Sequence, residues 1–190
     1  MTPILLSATI LLGVATVIPQ VWAGQIKTID PQTGAKTWKI HTNGVSITLT
    51  QLLPDQLRAF YLNRGFTLNQ IEAYATACVY TLILRNDNAP GTVHFVQSEW
   101  SLVSSGGSRS PMDTEDWLQR LQQAGATKPA LIAFRWAQFP SEHEYAPNGD
   151  WNQGMLATDL PAGSRFDFIA RWNIDGKPHQ GVLTDVRCIR

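Results

Sequence analysis

From Gly44 to Leu52 the chain reads GVSITLTQL, with Val45, Ile47 and Leu49 on one parity and Ser46, Thr48 and Thr50 on the other. Successive side chains of a strand point to opposite faces, so this run is a strand with one face against a core and one face polar. Other segments rich in β-formers follow it. Ala77–Arg85 (ACVYTLILR), Thr92–Val103 (TVHFVQSEWSLV) and Ala130–Phe139 (ALIAFRWAQF) read as strands, and Leu156–Leu160 as a short one. Gln25–Ile29 and Lys36–His41 flank the turn-rich DPQTG and form an opening hairpin. Arg165–Ile174 and Gln180–Ile189 form a closing hairpin across Asp175-Gly176, a strong two-residue turn signal.

Two segments change period. Residues 54–76 read as a helical hairpin. Pro54 and Asp55 open it, and Leu57, Phe60 and Tyr61 share a face. Gly65 stops the first helix, and Thr67-Leu68-Asn69-Gln70 forms a capping box for the second, which buries Leu68, Ile71 and Ala75. Asp113–Ala124 reads as an amphipathic helix with Trp117, Leu118 and Leu121 inward and Gly125 as its stop. Ser104–Pro111 (SSGGSRSP) reads as a flexible loop, and Pro140–Met155 as a long one.

Strands outnumber helices and do not alternate with them, which argues against a parallel βαβ sheet. The expected fold is mainly β: an immunoglobulin-like antiparallel β-sandwich with two short helical insertions, with an open β-barrel as the alternative. The chain has only two cysteines, Cys78 and Cys188. Their pairing would tie an early strand to the last one, as cross-sheet bridges do in such sandwiches. The cysteine spacing of true immunoglobulin domains is absent.

Compartment is read from residues 1–23. Ile4–Ile18 is an apolar run without charge, broken by Pro19 and Gln20 and followed by Val21-Trp22-Ala23. Small or β-branched residues at −3 and −1 suit signal-peptidase cleavage after Ala23. The alternative is an uncleaved anchor, but a spanning helix needs about 20 apolar residues and this run is shorter. The expectation is a periplasmic or secreted domain of residues 24–190, without stable membrane insertion after cleavage. Fifteen basic residues balance fifteen acidic ones, with no cationic stripe for nucleic acid.

The segment Phe139–Met155 (FPSEHEYAPNGDWNQGM) is the one most suggestive of function, because long loops without regular structure are uncommon in compact domains. Its ligand-binding candidates are Glu142, His143, Glu144, Tyr145, Asp150 and Trp151. His143 with Met155 would suit a soft ion such as copper. The competing reading makes the segment a solvated acidic turn, with Trp151 and Met155 as core anchors. His41, His94 and His179 are too far apart in sequence for a local chelate; His94 reads as a partly buried, hydrogen-bonded strand residue. Of the tryptophans, Trp151 and Trp38 are expected to be exposed and the others to serve the core. No nucleophile elbow, zinc-protease helix, P-loop or dinucleotide glycine motif occurs. The expected function is therefore a non-catalytic, exported binding or accessory protein for a protein or small ligand, without cofactor. A periplasmic copper-binding protein using the 139–155 loop is the first alternative, and a carbohydrate-binding module the second.

Overall fold

The computed structural model describes residues 24–189; the expected signal segment 1–23 lies outside them. The first sheet runs β1-β2-β3-β4-β9, formed by Ile26–Ile29, Lys36–Thr42, Val45–Gln51, Cys78–Asn86 and Asp150–Thr158. The second contains β7, β6, β10, β5 and β8 (Gly107–Arg109, Ser101–Ser104, Arg165–Ile174, Val93–Val96 and Glu142–Tyr145). Strand β11, Lys177–Arg187, pairs with β10 along that strand's other edge. Every strand pairing is antiparallel, and the sheets form a sandwich, with no closed barrel among the described residues.

The alternation read at residues 44–52 places Val45, Ile47, Leu49 and Gln51 inward in β3. They meet Trp38, Tyr80, Leu82 and Leu84 of the same sheet and Phe95, Trp100, Phe168 and Trp172 of the other. Trp38 belongs to this core, 2% exposed, which corrects the expectation that it faces solvent. Asp175 and Gly176 both have positive φ, at 48° and 79°, the left-handed pair that the closing hairpin requires. The Cys78–Cys188 disulfide joins the start of β4 to the residue after β11, and so links the two sheets.

Helices pack on the outer face of the first sheet at its β4–β9 end. The hairpin of α1 (Pro54–Leu62) and α2 (Leu68–Ala75) forms where the period changes, and the Thr67–Gln70 capping box is present. Helix α3, Thr114–Gln123, buries Trp117, Leu118 and Leu121 as expected. The expected strand 130–139 is instead helix α4, Lys128–Ala137. Thr127 caps it through Ala130 N, Pro129 sits in its first turn, and only Ala130 and Phe134 are fully buried, four residues apart. This helical layer buries Tyr61, Ile71, Tyr74, Trp117 and Phe134 against Val79 and Ala157 of the sheet.

The 139–155 segment is also more ordered than a loop. It forms β8, a turn, and the first half of β9. Gly154 allows this: a Cβ there would stand 2.3 Å from the Phe139 backbone N, where the chain leaving α4 crosses β9. Strand β5 ends earlier than expected, because a short 3-10 turn at Gln97–Glu99 separates it from β6.

Candidate binding groove

An open groove runs between the α3 N-terminus, the end of α4, the connector 138–142 and strand β9. One compartment, of about 530 Å³, is lined by Glu115, Arg135, Trp136, Phe139, Asn152 and Gln153 among others. A second, of about 610 Å³, shares Asp113, Ser141 and Glu142 with the first and continues past Arg109, Asp116 and Arg120.

Trp136 stands out at 84% exposure. Helix α4 spends its inward face on Ala130 and Phe134, which turns Ile132 and Trp136, four residues apart, toward solvent. Trp151 is 51% exposed. Residues 151, 153, 155 and 157 share the outer face of β9, because Met155 and Ala157 pack on the helical layer. Trp151 therefore stands about 7 Å beyond Gln153 on the same face, opposite Arg85 of β4. Trp136 and Gln153 thus line the groove, and Trp151 continues the outer face of β9 beyond that lining.

Several of the groove's charges are paired. Arg135 donates to both oxygens of Glu115, which holds the carboxyl below the ordinary range and raises the guanidinium. Asp113 caps α3 by accepting from Glu115 N. Arg109 lies 3.9 Å from Asp159. Glu142 Oε1 is 2.8 Å from His94 Nε2, which gives His94 the hydrogen bond read from sequence.

The remaining sequence candidates fall in several places. Tyr145 is fully buried, so it is a core ring stacked near Phe95 and not a surface contact. Burial pushes its phenol well above the ordinary value. Asp150 serves the turn that crosses from β8 to β9, accepting from Ala146 N at 3.0 Å and Trp151 N at 2.9 Å. Glu144 lies opposite His94 and lines a separate shallow cleft.

His143 and Met155 are not brought together. His143 is exposed on β8 with its ring 4.8 Å from that of Tyr145. Met155 sits against the helical layer, where its sulfur accepts the Tyr61 hydroxyl at 3.1 Å. That contact ends a chain in which Tyr74 donates to Gln138 Oε1 and Gln138 Nε2 donates to Tyr61, both at 2.9 Å. No group of three or more His, Cys, Asp or Glu side chains with metal-site geometry occurs among the described residues.

One cluster has the composition of a hydrolytic triad: His41, Ser46 and Asp87. Its connectivity is wrong for one. Ser46 Oγ donates to Asp87, and the same ring nitrogen of His41, Nδ1, meets both Ser46 at 3.0 Å and Asp87 at 3.3 Å. A relay needs the two imidazole nitrogens to serve the two partners separately.

Trp136 is the groove residue that sequence reading missed. The available signal was the start of α4: Thr127 followed by Pro129 marks a helix, and a helix with Phe134 inward turns Trp136 outward. Comparison with known families, curated proteins and solved structures finds no match to this chain.

Proposed function

We propose that this is an exported, non-catalytic binding protein that holds its ligand on the groove wall of Trp136 and Gln153, with Trp151 beyond it on the same strand face. The observation that carries the reading is Trp136, a large apolar ring left almost wholly in solvent on the rim of an open groove. Aromatic side chains gain most from being covered and are enriched in the energetic centres of interfaces. Ile132 extends the apolar surface along α4, which favours a protein partner. The resolved charge shifts in the groove, at Glu115 and Arg135, both reinforce the charged state, which suits a fixed binding wall better than proton transfer. The disulfide fits an oxidising compartment. Among the described residues, no helix is long and apolar enough to cross a membrane.

The amides of Asn152 and Gln153 beside Trp136 favour a second reading, carbohydrate binding, in which rings stack on sugar faces and amides meet hydroxyls. One experiment separates the two. A photo-crosslinker placed at 136 and at 151 in the exported protein should capture the same partner protein. At Val103, exposed on the opposite sheet, it should capture nothing. Equal capture at all three positions would refute the proposal. Oligosaccharides that quench tryptophan fluorescence in the parent but not in Trp136→Ala would establish the carbohydrate reading instead.

A further inference from the structure

A second site lies at the opposite edge of the sandwich, where the β1–β2 hairpin faces β11. A cleft of about 280 Å³ is lined by Lys27, Ile29, Lys36, Trp38, Asp185 and Arg187 among others. A neighbouring one of about 300 Å³ shares Lys36 and Arg187 with it and adds Arg165. Four cations and one carboxylate thus line a double cleft, in a chain whose charges balance overall. Asp185 is the sole acidic side chain there, and three cations share it: Lys27 at 3.2 Å, Arg187 at 3.2 Å and Arg165 at 3.9 Å. Lys36 has no ion-pair partner among the described residues.

The backbone builds this arrangement. A bulge in the β10–β11 pairing between Phe166 and Phe168 puts Asp185 at φ 51°, and its N–H donates to Asp167 Oδ1 at 2.9 Å. Bulges re-aim a side chain at the cost of a ladder contact. The wall between the charges is Trp38, whose buried indole N–H has no hydrogen-bond acceptor. Surplus guanidinium and ammonium groups beside a shared carboxylate make a site whose internal anion can be supplemented by an external one.

We propose that this double cleft binds a small oxyanion carrying at least two negative groups, one held in each half and bridged by Lys36 and Arg187. Asp185 acts as the built-in counter-ion that competes with it. The site is separate from the groove, and its occupation does not depend on the function proposed above.

Pyrophosphate and citrate, with acetate as the monovalent control, test this by calorimetry on the folded, disulfide-bonded protein at low salt. Both polyanions should bind, acetate far more weakly, and added salt should weaken all binding. Lys36→Gln, which removes no ion pair of Asp185, should weaken pyrophosphate by about tenfold. Asp185→Asn should tighten it, because Asn tolerates the positive φ while removing the competing charge. Trp136→Ala should leave it unchanged. If the cations serve only to hold the bulge, Asp185→Asn loses stability without gaining affinity, and that result overturns the proposal. So does the absence of pyrophosphate and citrate binding in both the parent and Asp185→Asn, or binding that Lys36→Gln does not alter.

Discussion

All four tyrosines of the chain, Tyr61, Tyr74, Tyr80 and Tyr145, are buried. Burial raises each phenol above its ordinary value, since the phenolate would be stranded away from water. A group with a raised folded pKa contributes stability that is complete below its unfolded pKa and is lost as pH rises through the folded one. The folded protein should therefore show no phenolate absorbance at about pH 10, where free tyrosine is half ionised. Phenolate should appear together with loss of tertiary structure at higher pH; a tyrosine that titrates normally in the folded state would contradict this burial. The tryptophans divide just as sharply. Trp172→Ala should cost about 3–5 kcal/mol, as for large core truncations, whereas Trp136→Ala should change stability by about 0.5 kcal/mol or less; denaturation midpoints measure both. For Trp151 the exposed reading holds over the core-anchor one, while Trp38 and Trp136 exchange the places expected of them. Composition cannot separate them, because a tryptophan on a strand or helix is equally apolar on either face and only the register of the element decides.

Element identity was legible where the period was clean and a cap or turn marked its end. The strand at 44–52, the capped hairpin of α1 and α2, the helix at 113–124 and the Asp175-Gly176 turn all appear where expected. Helix α4 was not legible because ALIAFRW is an apolar run of intermediate length, rich in residues that suit either state. It fully buries only Ala130 and Phe134, so few positions mark which side is wet. Strand β8 and the first half of β9 escaped notice for the opposite reason. At the sandwich edge both faces of Glu142–Glu144 and of Asp150–Gln153 meet solvent, and period-two alternation disappears. The crossing at Gly154 joins these elements. Gly154→Ala should drive Phe139 off β9 and cost roughly 1–3 kcal/mol, the usual range for overpacking. A denaturant midpoint equal to the parent's would show that the connector yields freely. The candidate groove depends on that same connector, so the variant should also alter binding at Trp136.

At the scale of the whole molecule, two cores share one sheet: the sandwich interior on one face and the helical layer on the other. The disulfide fastens the sandwich side, and its partners are 110 residues apart. On the chain-entropy account a bridge closing so long a loop stabilises by about 4–5 kcal/mol. Replacing both cysteines by alanine should lower the thermal midpoint correspondingly; an unchanged midpoint would mean that the reduced, unfolded chain stays compact. The legible part at this scale was the pairing itself, since two lone cysteines in a chain expected to be exported leave one choice. How the groove is assembled was not legible, because it draws on α3, α4 and β9, which touch only in three dimensions. The same bridge has a consequence for survival among proteases. It makes residues 78–188 a covalent ring that holds both halves of the groove and the whole second sheet. The exposed inter-sheet turn at Pro147-Asn148-Gly149 is the kind of site where nicking begins. A single cut there opens the ring but releases no fragment, and the flanking strands remain paired to their neighbours. Nicked protein should run as one species without reductant and as two with it, and should still bind at Trp136.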